Sequence, residues 1–215
     1  MDKTKIVKDV FNRCAEDYVH QFMDVGLYHA SFDKFCEEMP NESASVLEIG
    51  CGPGNITQYL LEKHSDFRIL GIDLSENMVA FAQKNNPQAT FLVMDCRHLG
   101  EMTQKYDGIL CGFCLPYLSR AEAAQLIKDC SELLNENGIL YLSTMEDDYE
   151  KSGLKTSSSG EYSLYMYYHE AAYLTELLEA NRFSIILSIH QDYPTKDGTK
   201  TTDLILIGKK ETKPV

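Results

Sequence analysis

The chain has 215 residues, 44% of them hydrophobic, and 33 acidic against 20 basic residues give a formal net charge of −13. That length supplies one α/β domain with a sizeable core. The charge disfavours RNA or DNA as a substrate, because phosphate backbones require a basic face and the only Lys/Arg cluster is Lys209-Lys210.

The apolar runs are short and interrupted, so no segment suits a bilayer. The N-terminus, Met1-Asp2-Lys3-Thr4-Lys5, lacks the apolar core and cleavage site of a signal peptide. Seven cysteines, odd in number and without framework spacing, suit a reduced compartment. A cytoplasmic protein without a membrane anchor is therefore expected. Cys111-Gly-Phe-Cys114 has no second ligand pair at metal-site spacing, so no metal site is expected.

In chain order, residues 6–39 form a helical region rich in aromatics, including Phe11, Tyr18, Phe22 and Tyr28. A short apolar run at 45–50 predicts a buried strand ending at glycine. Ile56, Tyr59, Leu60 and Lys63 follow at helical spacing. Strands are predicted at 67–72, ending at Asp73, and at 90–94, ending at Asp95. Between them Ser75 caps a helix carrying Met78, Val79 and Ala82. A fourth strand spans 106–111, and Ala123 to Leu134 form an amphipathic helix broken by Asn137-Gly138. Strand 139–144, helix 170–180 and strands 183–191 and 201–209 complete the chain. The last two are joined by about ten residues containing Pro194 and Asp197-Gly198, too few for a helical crossover, so they form an antiparallel hairpin. The alternation predicts a Rossmann-like seven-stranded α/β sheet, mostly parallel with an antiparallel last strand and helices on both faces.

The turn Glu48-Ile49-Gly50-Cys51-Gly52-Pro53-Gly54-Asn55 supplies the chemistry. Glycines at alternate positions allow a sharp bend and close approach of a ligand, and the following helix points its N-terminus at that ligand. Asp73 ends the next strand about 20 residues beyond the first glycine, where a carboxylate accepts from ribose hydroxyls. Turn and carboxylate together point to an adenosine ligand. The pattern is G-x-G-x-G rather than the dinucleotide G-x-G-x-x-G. Glu48 stands two residues before it, and a carboxylate suits the ammonium and sulfonium of S-adenosylmethionine.

The chain resembles the class I S-adenosylmethionine-dependent methyltransferases over roughly residues 40–210. Val46-Leu-Glu-Ile-Gly-Cys-Gly-Pro-Gly-Asn55 is similar to that family's first motif, and Gly71-Ile-Asp-Leu-Ser-Glu-Asn-Met78 to its second. Met94-Asp-Cys-Arg-His-Leu99 resembles the third, residues 106–117 the fourth and Asn137-Gly-Ile-Leu-Tyr-Leu142 the fifth. The resemblance implies that Gly50, Cys51, Gly52 and Gly54 surround the methionine part. Asp73 would hold the ribose, and Leu74 would pack on adenine. Asp95 and the backbone of Cys96 would read the adenine edge. Cys111, Gly112 and Phe113 would offer carbonyls to the amino group and line the methyl donor. Glu48, Asn55 and Met78, within the motifs, complete the cofactor set, with Tyr18 closing over it.

Methyl transfer from a sulfonium is an in-line displacement in which the protein supplies alignment and a dry environment. The acceptor site is expected where the helical region 1–40 and an insert at 146–169 meet over the cofactor core, 41–145, with 170–215 as a closing helix and hairpin of the same single domain. Tyr28, Tyr117, Tyr165, Tyr167 and His169 are the candidate acceptor residues, and Tyr117 and His169 the candidates for catalysis. The stretch Ser152–Gly160 resembles a mobile loop near the site. The expected protein is a monomer or homodimer acting on a small molecule. The alternatives are a non-catalytic S-adenosylmethionine-binding module with a protein partner, or an RNA methyltransferase.

Overall fold

A computed structural model describes residues 2–157, 160–194 and 200–212. Helix α1 (Lys3–Phe22) and α2 (His29–Glu37) precede β1 (Ser45–Ile49). Then come α3 (Asn55–Lys63), β2 (Arg68–Asp73), α4 (Glu76–Asn85), β3 (Thr90–Val93) and β4 (Tyr106–Gly112). Helix α5 (Arg120–Leu133) leads into β5 (Leu134–Glu146). The chain closes with β6 (Gly153–Thr156), β7 (Ser163–Met166), α6 (Ala171–Ala180), β8 (Phe183–Pro194) and β9 (Lys200–Lys210).

The main sheet has seven strands in the order β3-β2-β1-β4-β5-β9-β8. The first five are parallel, while β9 runs antiparallel to β5 and to β8. The expected architecture is therefore present. The turn residues Asp197-Gly198 lie outside the described residues. Buried side chains alternate between the two faces of the sheet, as the period of two requires. Leu47 and Ile49 pack with α5 and α6 residues such as Ile127 and Leu174. Val46 packs with α2, α3 and α4 residues such as Phe35, Leu60 and Ala82.

Two local expectations change. Helix α5 ends at Leu133, so Asn137-Gly138 lies inside β5 rather than ending the helix. The register jumps between Tyr106↔Leu134 and Gly108↔Ile139, and Asn137 absorbs the extra length at φ 62°. The stretch from Ser152 also contains a strand: β6 pairs antiparallel with β7 to form a separate two-stranded ribbon. Residues 158 and 159 fall outside the described residues.

Candidate functional site

The sheet's order reverses at β1, between β2 and β4. An open parallel sheet leaves its ligand crevice there, beyond the carboxyl ends of the strands. The ends of β1, β2, β3 and β4 deliver Gly50, Asp73, Asp95 and Phe113 to one cavity of about 820 Å³, its open mouth included.

The glycine turn uses its three glycines for three purposes. Gly50, Gly52 and Gly54 have φ of 69°, 50° and 81°, a region that L side chains avoid. A Cβ on Gly52 would meet only the Tyr18 ring, at 3.9 Å, so that glycine leaves cavity space open. A Cβ on Gly50 would crowd Cys114 at 3.1 Å, and one on Gly54 would stand 2.4 Å from Asn86 Nδ2. Gly54 therefore permits contact between the turn and α4, not between the turn and a ligand. Asn85 and Asn86 brace the turn by donating to the carbonyls of Pro53 and Gly54, each at 2.9 Å.

Asp73 ties the two motifs together. Its Oδ2 accepts from Gly52 N at 3.0 Å and its Oδ1 from Ser75 N at 2.8 Å. Burial raises its carboxyl above the usual range, and backbone donors oppose that rise. Ser75, not Asp73, is the cap of α4, accepting from Met78 N. Leu74 and Met78 line the cavity beside it. At the next strand end, Asp95 caps the short helix 96–101 and accepts from Arg97 at N and at Nη1, both 3.0 Å. Cys96 and Cys114 also line the cavity, with sulfurs 3.7 Å apart.

Phe113 has φ 54°, an outlier for an aromatic residue. Its N–H donates to Ser143 O and Oγ, both at 3.1 Å, and its ring packs on Tyr28 at 5.2 Å. Strained residues of this kind cluster at ligand sites, and Phe113 lines the cavity. Tyr117 lines the cavity too, and burial raises its phenol pKa. Its hydroxyl stays protonated at neutral pH.

Helix α1 roofs the cavity with Val7, Lys8, Phe11 and Tyr18. Three of these were not foreseen, although Val7, Phe11 and Tyr18 sit at i, i+4 and i+11, the spacing of one helix face. Asn12 fastens the roof: its Oδ1 accepts from Ser75 Oγ at 2.6 Å and from Asn77 N at 3.1 Å. Asn77 Nδ2 donates to Asn12 O at 2.7 Å, and Lys8 pairs with Glu76 at 2.5 Å. Asn55 does not line the cavity; its Nδ2 donates to Phe22 O at 2.8 Å and anchors the roof's far end.

Several other expected site residues stand elsewhere. Tyr165 and Tyr167 hold Lys3, whose Nζ lies 3.4 Å from the Tyr165 ring centre and donates to Tyr167 Oη at 2.8 Å. They pin the start of α1 instead of lining the cavity. His169 is fully buried, and its Nε2 sits 3.1 and 3.0 Å from the carbonyls of Leu115 and Leu118. Nε2 is thereby the protonated donor, and burial lowers the ring's pKa. The imidazole is a buried neutral brace for residues 115–118, away from the cavity. Tyr28 backs Phe113 and donates to Asp203 Oδ2 at 2.6 Å. Cys51 and Cys111 are core residues. Glu48 is one layer behind the turn, accepting from the Thr57 hydroxyl.

An adenosine-bearing sulfonium cofactor fits these residues. Gly52 leaves open the space a Cβ would fill, and Glu48 Oε1 is buried without a partner behind the turn. Residues 46–138 match a family model described as a methyltransferase domain. The fold matches the S-adenosylhomocysteine-bound magnesium protoporphyrin IX methyltransferase of Synechocystis at TM-score 0.73 and 22% identity, covering 98% of this chain and all of that one (100%). It also matches a Burkholderia thailandensis 1,6-didemethyltoxoflavin-N1-methyltransferase at TM-score 0.71 and 21% identity, covering 97% and 88% of the two chains. Residues 46–138 are thus similar to a methyltransferase domain, and the chain shares its fold with these two methyltransferases.

Among curated relatives, a trans-aconitate 2-methyltransferase of Variovorax paradoxus is 34% identical over 51% of this chain and 41% of its own length. A putative methyltransferase of invertebrate iridescent virus 6 is 32% identical over 46% of this chain and 36% of its own. The chain thus spans less than half the length of these relatives. Among the described residues no helix is long and apolar enough to cross a membrane, and no group of three or more side chains could hold a metal.

Proposed function

We propose that this chain is a methyltransferase that binds S-adenosylmethionine in the strand-end cavity and transfers its methyl group to a small-molecule acceptor. The observation that carries the proposal is Asp73: its carboxylate faces the cavity from the end of β2 while gripping the glycine turn through Gly52 N. Asp73 would hold the ribose hydroxyls, Leu74 and Met78 would flank the adenine, and Asp95 would face its amino edge. The glycine turn and Tyr18 would enclose the methionine part. The bound cofactor supplies an electrophilic methyl on a sulfonium. The chain's own contribution is to orient that group, and to exclude water by closing α1 over it.

The relatives act on trans-aconitate, a porphyrin and a toxoflavin precursor by name, which supports a small-molecule acceptor. The acidic chain supports it too, since a polyanionic RNA would meet net repulsion. Calorimetric titration with S-adenosylhomocysteine tests the proposal. We expect saturable binding by the intact chain and a loss of about two orders of magnitude in Asp73→Ala, the effect of removing a charged hydrogen-bond acceptor. Asp73→Asn, which keeps one acceptor for the turn, should lose less. Undiminished binding by both variants would remove the assignment.

A further inference from the structure

We infer that the acceptor is an amine, selected by a cavity whose lining cations are already neutralised and whose walls are aromatic rings. The inference rests on the methyl-transfer reading above and adds the acceptor's charge and atom.

Charge comes first. Among the described residues, Lys8 and Arg97 are the basic side chains lining the cavity. Lys8 is paired with Glu76 at 2.5 Å. Arg97 is held by Asp95 at 3.0 Å, by Glu122 at 2.6 Å and by the Tyr117 carbonyl at 3.2 Å. Asp73, held only by backbone N–H groups, faces the same space. Among the described residues lining the cavity, a carboxylate or phosphate acceptor would meet no cation that is not already paired, whereas sites for such groups present open Arg or Lys donors.

The wall adds the second observation. Phe11 packs edge-on against Tyr117 at 5.2 Å and against Tyr18 at 6.0 Å, and all three line the cavity with Phe113. Such rings attract a cation through their negative faces. Phe113 is backed by Tyr28, whose hydroxyl donates to the buried Asp203 carboxylate at 2.6 Å. The Asp203 carboxyl group therefore stands behind Phe113 through Tyr28.

The chemistry balances without a base of special reactivity. An ammonium acceptor releases one proton to water. The nitrogen lone pair then forms a bond to the methyl carbon. The carbon–sulfur bond breaks with its pair left on sulfur, and the positive charge passes from sulfur to the methylated nitrogen.

Matched probes test the inference on the full chain loaded with S-adenosylhomocysteine. Phenethylamine and 3-phenylpropanoate share a ring and a two-carbon arm and differ in charge. In calorimetric titrations we expect the amine to bind at least about tenfold tighter. Tyr28→Phe, which releases Asp203 from the ring, should narrow that preference, with circular dichroism checking the fold. Equal or tighter binding of 3-phenylpropanoate, or absence of phenethylamine binding, overturns the inference. Failure of S-adenosylhomocysteine to bind beforehand would instead overturn the cofactor reading.

Discussion

Glu48 carries the sharpest consequence at the scale of a residue. Burial, with a smaller contribution from Asp73, raises its carboxyl from 4.5 to about 8, although the Thr57 hydroxyl opposes the rise. The folded pKa is above the unfolded one, so the folded state holds the proton more tightly. The contribution of Glu48 to stability is then greatest at or below about pH 4.5, falls as pH rises to about 8, and levels beyond it. Glu48→Gln should keep the Thr57 bond and flatten that fall. Urea denaturation of both proteins near pH 5 and near pH 8 should show the variant gaining on the order of a few kcal/mol at the higher pH only. A second residue-scale test is Gly54→Ala. Its φ of 81° and the 2.4 Å approach of Asn86 Nδ2 make any side chain both strained and crowded. A loss of about 2–4 kcal/mol is expected from equilibrium unfolding, and Gly52→Ala, with space before it, should cost stability less and cofactor affinity more.

Among the elements, α1 is a roof joined to the rest by specific polar contacts. Asn12 reaches the first turn of α4, where Ser75 and Asn77 also stand beside the cavity-facing Asp73. Lys3, bonded to Tyr167, and Phe22, bonded by Asn55 of α3, fasten its two ends. A cofactor held by Asp73 would therefore share the α4 N-terminus with the roof. Asn12→Ala removes several partly exposed hydrogen bonds, each worth roughly 0.5–1.5 kcal/mol. It should raise hydrogen-exchange rates across residues 3–22 and weaken S-adenosylhomocysteine binding about tenfold while leaving the sheet's protection unchanged. Unaltered exchange in α1 would show that apolar packing, not this contact, holds the roof.

For the whole molecule, the cavity lies between the sheet edge and the roof, so a bound ligand ties together parts that otherwise meet mainly through side chains. A ligand that binds only the folded state stabilises it by RT ln(1 + [L]/Kd), about 2.7 kcal/mol at a hundredfold excess over Kd. For a domain of this size that corresponds to a rise in Tm of roughly 5–10 °C. Differential scanning calorimetry with S-adenosylhomocysteine should show it, and Asp73→Ala should abolish it.

The sequence by itself determined the sheet, its antiparallel end and the chemistry at the strand ends. These follow from local rules: strand period, glycine at a sharp turn, and an acidic residue where a parallel strand stops. Gly52, Asp73, Asp95 and Phe113 were legible because each sits at such a stop. Tertiary structure alone decided what each neighbour does. Gly54 belongs to α4 because Asn86 arrives from 32 residues away. Tyr165 and Tyr167 belong to Lys3, brought from the other end of the chain. His169 is held by carbonyls more than 50 residues distant. An aromatic or imidazole ring serves equally as a packing surface, a cation seat or a pocket wall, and its type does not say which. That choice is made by the partner long-range folding places against it, which is why the strand-end residues of the cavity could be read from the sequence and the surroundings of the rings could not.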